Sequence, residues 1–198
     1  MQFYRRSRTG TKRLGVLAGG FNPPTVAHLA LADASHAYVD QVLYVVPRAF
    51  PHKEYFGATL QQRLQMLGSL ESAMPQSIAI TEQGLLIDIA RECRTEFGAD
   101  TRLYFLCGRD AAERVLTWDY GRPGVVEEML NQFELLVASR SGDFVPPPAF
   151  QRRIHTLALP AGHDQISSTE VRERIARGDA WEHLVPGNIV ERVREIYS

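Results

Sequence analysis

Leu14-Gly-Val-Leu-Ala-Gly-Gly-Phe-Asn-Pro-Pro-Thr-Val-Ala-His-Leu-Ala-Leu-Ala32 reads as a buried strand, a tight glycine turn and then a helix. Gly15 to Ala18 is a short apolar run closed by Gly19-Gly20, the length and punctuation of a parallel strand. Pro23-Pro24 cannot lie inside a helix but suits the approach to one or its first turn. Beyond them Val26, Leu29, Ala30 and Asp33 start a 3.6-residue pattern with few breakers as far as Tyr38. Two glycines let a backbone come close to a ligand, and the helix N-terminus that follows offers unpaired N–H groups to an anion. Thr25 and His28, three apart, share one face of the first turn and add side-chain donors there. This is the pattern of a phosphate site without a Walker lysine. The plainer alternative is a common strand-to-helix turn with a packed histidine.

Composition bounds the rest. The chain has 198 residues, 44% hydrophobic and 23% charged, which suits one globular α/β domain over 14–198. Residues 1–13 carry Arg5, Arg6, Arg8, Lys12 and Arg13 among small polar residues and read as a basic, flexible tail. Net charge is −1, so no global field favours nucleic acid or an acidic membrane, and any anion must be met by a local cluster. Cys93 and Cys107 stand apart, with no paired metal-ligand spacing, which argues against a disulfide framework or a zinc site. No apolar run has the length of a membrane span and no secretory segment is visible, which points to the cytoplasm.

After the first helix, strands and helices alternate. Gln41 to Val46, Ser77 to Thr81, Arg102 to Leu106, Phe133 to Ser139 and His155 to Leu159 read as strands. Thr59 to Met74, Leu85 to Phe97 and Pro123 to Gln132 read as helices. The pattern predicts a Rossmann-like, doubly wound parallel sheet with helices on both faces and a helical C-terminal end. In such a sheet ligands sit outside the strand C-termini where the winding reverses. Gly19-Gly20 and Gly108-Arg109-Asp110 both follow strand ends, and if those strands are neighbours they flank one crevice. Asp110 reads equally well as a helix N-cap.

A third motif is Ile166-Ser-Ser-Thr-Glu-Val-Arg172. Ser167 to Glu170 fits a capping box at a helix start. The further hydroxyls of Ser168 and Thr169, with Arg172 one turn in, make a second helix N-terminus able to hold a pyrophosphate.

Gly19 to His28 resembles the signature of the nucleotidyltransferase α/β-phosphodiesterase superfamily, which ends in His-x-Gly-His or Thr-x-x-His. Phe21-Asn22-Pro23 ahead of Thr25-x-x-His28 is most similar to the nicotinamide and nicotinate mononucleotide adenylyltransferases. Thr25 stands where many bacterial members have a histidine, and Ala27 where they have glycine. Residues 166–172 resemble the family's Ile-Ser-Ser-Thr-x-(Ile/Val)-Arg signature throughout. Leu184-Val185-Pro186 and the amphipathic residues after it also resemble the family's C-terminal end.

The resemblance implies an adenylyl transfer from ATP to the phosphate of nicotinate or nicotinamide mononucleotide, giving a dinucleotide of the NAD family and pyrophosphate. It implies His28, Thr25 and Arg172 as catalytic donors. It implies an ATP site of Gly19, Gly20, Phe21, Asn22, Gly108, Asp110, Ser167, Ser168 and Thr169, with Asp110 on the ribose and Gly108 leaving room for the sugar. Lys53 in Pro51-His52-Lys53, Trp118 and Arg140 match residues that meet the mononucleotide, Trp118 by stacking on the pyridine ring. Glu82 to Leu86 replaces a Ser/Thr-Tyr-Thr segment of the bacterial nicotinate enzymes, so the acid or amide preference stays open. Mg²⁺ is implied as carried by the ATP phosphates. The partners are small molecules, and a homo-oligomer is compatible with the sequence. The alternatives are a phosphopantetheine adenylyltransferase, a cytidylyltransferase, or a nucleotide sensor without turnover.

Overall fold

The computed structural model describes residues 1–48, 57–138 and 144–198. Its strands are β1 (Gln2–Arg5), β2 (Arg13–Ala18), β3 (Gln41–Pro47), β4 (Gln76–Thr81), β5 (Arg102–Gly108), β6 (Glu134–Ala138) and β7 (Ile154–Leu157). They form one sheet in the order β1-β4-β3-β2-β5-β6-β7. All neighbours run parallel except β1, which is antiparallel to β4. The helices are α1 (Val26–Ala34), α2 (Leu60–Gly68), α3 (Leu86–Phe97), α4 (Arg109–Thr117), α5 (Val125–Gln132), α6 (Ser168–Arg177) and α7 (Val190–Tyr197). Among the described residues no helix is long and apolar enough to cross a membrane.

Side chains alternate across the strands, so each face of the sheet needs its own cover. Leu17, Tyr44, Ile78 and Leu136 pack with Leu31 of α1, Leu67 of α2, Val171 of α6 and Val193 of α7. Val16, Leu43, Phe105 and Leu135 pack on the other face with Ile89 of α3, Ala112 of α4 and Leu130 of α5. All seven residues of β3 are buried as a result, which is why Val42 to Val46 is an unbroken apolar run. The winding reverses between β2 and β5, which pair directly from Arg13↔Arg102 to Val16↔Phe105. The crevice condition is therefore met: Gly19-Gly20 and Gly108 leave adjacent strand ends.

Two local expectations are corrected. Residues 1–13 are not a loose tail, because Gln2–Arg5 completes the sheet edge along β4. Several of its basic residues have partners within the fold. Arg5 donates to the Gly68 carbonyl at 2.8 Å and to Gln76 Oε1 at 3.0 Å. Arg6 pairs with Glu96 at 3.0 Å and lies over the Phe3 ring at 4.5 Å. The second correction is the length of α2, which stops at Gly68 rather than Met74. The carbonyl of Gly68 is taken by Arg5, and that of Ser69 by the Asn188 amide, so the last turn is completed from outside the helix. Likewise α1 ends at Ala34, and a 3₁₀ turn over Ser35–Ala37 carries the chain on to Tyr38.

Candidate active site

The β2–α1 loop is built to a fixed shape. Gly19 closes β2 by donating its N–H to the Val45 carbonyl at 3.0 Å. Phe21 then adopts φ 47°, a left-handed conformation that bulky residues rarely take. Its buried ring compensates, meeting Tyr44 edge-on at 5.6 Å and the His28 ring at 5.1 Å. Side chains far away in sequence hold the loop's carbonyls. Arg63 of α2 donates to Gly20 O at 3.1 Å, Arg172 of α6 to Asn22 O at 2.6 Å and Ser168 Oγ to Pro23 O at 2.7 Å. The N-termini of α1 and α6 are thereby tied together beside the sheet's switch point.

Thr25 is the N-cap of α1 and is wholly buried. Its backbone N–H lies 3.0 Å from His28 Nδ1, and its hydroxyl 2.7 Å from the same nitrogen. A backbone N–H can only donate, so Nδ1 is an acceptor and the neutral ring carries its proton on Nε2. Burial pushes the imidazole down to about 4, so the ring is neutral at physiological pH. Thr25 was expected as a weak phosphate donor beside His28. Its hydroxyl instead faces Nδ1 from a buried position, and its contribution is to set the histidine's tautomer and angle.

His28 lines a cavity of about 290 Å³ together with Gly108, Asp110, Ser167 and Ser168. Gly108, not Asp110, is the N-cap of α4, and Asp110 sits in the first turn. The φ of Gly108 is an ordinary −77°, and a Cβ there would meet no protein atom within 4 Å. Neither the backbone nor packing explains a glycine at 108, and it opens onto the space a ligand would fill. Arg114, one turn beyond Asp110, and His163 also line this cavity. The sequence pattern did not single them out, since His163 lies in a short 3₁₀ turn with no periodicity to read.

The three hydroxyls before Arg172 have separate partners. Ser167 Oγ caps α6 by accepting from Glu170 N at 3.1 Å. The capping box is half formed, because the Glu170 carboxylate turns forward to Arg174 at 2.8 Å. Ser168 holds Pro23, and Thr169 Oγ1 accepts from Arg172 at 3.2 Å. Arg172 thus clamps the β2–α1 loop as well as lying at the helix start. Asn22, expected at ATP, turns its Oδ1 to the Ala58 N–H at 3.1 Å and to the Tyr197 hydroxyl.

Residues 16–174 match the family described as cytidylyltransferase-like. The chain belongs to that family. Among curated nucleotidyltransferases, a probable nicotinate-nucleotide adenylyltransferase of Bordetella pertussis is 32% identical over 197 residues, 89% of this chain and 92% of the relative. One from Moorella thermoacetica is 28% identical over 200 residues, 92% of this chain and 89% of the relative. The fold is similar to that of Plasmodium falciparum nicotinic acid mononucleotide adenylyltransferase complexed with NaAD. The TM-score is 0.71 at 16% identity, over 93% of this chain and 95% of that one. This nucleotidyltransferase therefore carries both family motifs on adjacent elements of the fold the family uses.

Of the expected mononucleotide residues only Trp118 is among those described, and it does not line the His28 cavity. Trp118 follows α4, is 57% exposed, and lines a separate cavity of about 490 Å³ with Tyr120, Val126 and Phe150. Lys53 and Arg140 lie outside the described residues.

Proposed function

We propose that this nucleotidyltransferase joins ATP to a pyridine mononucleotide, giving a dinucleotide of the NAD family and pyrophosphate. The observation that carries it is the Thr25–His28 pair. It fixes a neutral imidazole with its proton on Nε2, on the wall of the cavity between two helix N-termini. The names of the Bordetella and Moorella relatives support nicotinate mononucleotide as the first acceptor to test.

A phosphate oxygen of the mononucleotide is already ionised at neutral pH, so the attack needs no protein base. That oxygen forms a bond to the α-phosphorus of ATP. The bond from the α-phosphorus to the oxygen bridging it to the β-phosphate breaks, and pyrophosphate leaves with the electron pair. The protein's task is alignment and dispersal of charge. His28 Nε2–H donates to the triphosphate, and the backbone N–H groups around Phe21 add to it. Gly108 and Asp110 take the ribose. The α6 N-terminus at Ser167, Ser168 and Thr169, with Arg172, faces the leaving pyrophosphate. Lys53, Trp118 and Arg140 serve the mononucleotide. Mg²⁺ enters with the substrate as MgATP, held by phosphate oxygens and water and screening their charge. The donors at this site are cationic, neutral or backbone groups suited to phosphate. Among the described residues no three His, Cys, Asp or Glu side chains converge. The setting proposed is the cytoplasm, with small molecules alone as partners.

Pyrophosphate release from ATP mixed separately with nicotinate mononucleotide, nicotinamide mononucleotide and phosphopantetheine tests the acceptor. Release with either pyridine substrate supports the proposal, and release with phosphopantetheine alone replaces it. A second expectation concerns Arg172. Arg172→Ala raises the KM for ATP about fivefold, the scale of one net hydrogen bond. Arg172→Lys recovers only part, since lysine lacks the fork that reaches Asn22 O and Thr169 Oγ1 together. Steady-state kinetics of the three proteins, with the same KM throughout, would remove Arg172 from the ATP site.

A further inference from the structure

Asn22 Oδ1 is the meeting point of three separate stretches of chain. Asn22 itself lies in the β2–α1 loop, Ala58 donates its backbone N–H at 3.1 Å, and Tyr197 in the last turn of α7 donates its hydroxyl. The tyrosine is closely fitted there. Gly57 has φ +89°, and a Cβ on it would stand 2.7 Å from the Tyr197 ring. Gly57 is thus required both by its backbone and by the ring laid against it. Burial raises the Tyr197 hydroxyl well above its ordinary range, so it stays protonated and a donor. The same asparagine presents its backbone carbonyl to Arg172 at 2.6 Å, and three residues later Thr25 orients His28.

We infer that Tyr197 is a positioning residue for the transfer reaction: its hydroxyl, through Asn22, sets the β2–α1 loop from which Thr25 and His28 address the phosphates. The inference rests on the function proposed above. Tyr197 lies on α7 and reaches the loop through the Asn22 side chain. Its counterpart across the same oxygen, Ala58, begins the approach to α2, so this one oxygen ties the β2–α1 loop to the start of α2 and the end of α7.

Tyr197→Phe is the test, since it keeps the ring against Gly57 and removes only the donor. Its kcat for dinucleotide formation is expected to fall about fivefold, the scale of one hydrogen bond, with the KM for each substrate within about twofold of wild type. In an Asn22→Ala background the same substitution is expected to add no further loss, because the acceptor is already gone. The ring-nitrogen resonances of His28 should shift in Tyr197→Phe, whatever the acceptor substrate proves to be. Unchanged kcat with unmoved His28 resonances overturns the inference, even if the protein melts earlier. So does a loss in the Asn22→Ala background as large as in wild type. A wild-type protein that forms no dinucleotide counts against the proposed function instead, and the His28 resonances then decide the positioning role alone.

Discussion

Replacing His28 with alanine lowers turnover by about 10²–10³, the loss typical of one preorganised donor to developing charge. The fold should survive, because the imidazole stands on a cavity wall and Thr25 remains as the N-cap of α1. The loss should fall on kcat more than on the KM for ATP, since the donor matters most when charge builds on the departing pyrophosphate. Thr25→Val is expected to reproduce part of it by removing the hydroxyl that orients Nδ1. Wild-type turnover in His28→Ala would take the residue out of the mechanism. The ring's environment adds a pH signature. His28 is neutral until about 4 in the folded chain and 6.5 when unfolded, so the unfolded chain binds the proton first. Stability from this residue is intact above about pH 6.5 and is lost progressively as pH falls towards 4. NMR of the substrate-free protein should show His28 unmoved between about pH 5.5 and 8. A titration midpoint near 6.5 would mean that the ring is not held as described.

Trp118→Ala raises the KM for the mononucleotide at least about tenfold while leaving that for ATP nearly unchanged. A stacked indole contributes on the order of 1 kcal/mol beyond the area it buries, and the apolar cover of a flat, electron-poor ring adds to it. Trp118 is 57% exposed and lines a cavity of its own, apart from the His28 cavity, so its removal leaves the ATP side untouched. Its exposure also means that alanine costs little core packing, and a general loss of stability should not confuse the result. Trp118→Phe should restore much of the affinity by keeping an aromatic face. Initial-rate kinetics with each substrate varied in turn distinguish the cases. Equal damage to both substrates, or none to either, would leave the pyridine assignment without its stacking residue.

Much of this was legible in the sequence because it is written in short-range chemistry. Buried strands appear as apolar runs, helix starts as Pro23-Pro24 and the Ser167 capping box, and the tight β2–α1 turn as two glycines before a helix. Those features depend on residues a few positions apart, and the alternation of strands with helices then leaves few ways to wind the sheet. Gly108 could be placed beside the crevice from its position after a strand. Only the structure showed that neither backbone geometry nor packing accounts for the missing side chain.

The rest was decided by tertiary structure, since it turns on partners far apart in the chain. Arg63 sits in an amphipathic helix where an arginine reads as solvated, yet it is buried and holds the Gly20 carbonyl. Basic residues near the N-terminus read as a tail, but the open edge of β4 pairs with that segment and supplies its side chains with acceptors. Asn22 and Arg172 stand in separate motifs, and the fold alone joins them to each other and joins Asn22 to Tyr197. Local sequence determines which backbone groups a turn leaves unpaired. Which distant side chain satisfies them depends on how the sheet faces are covered, and no periodicity along the chain records that.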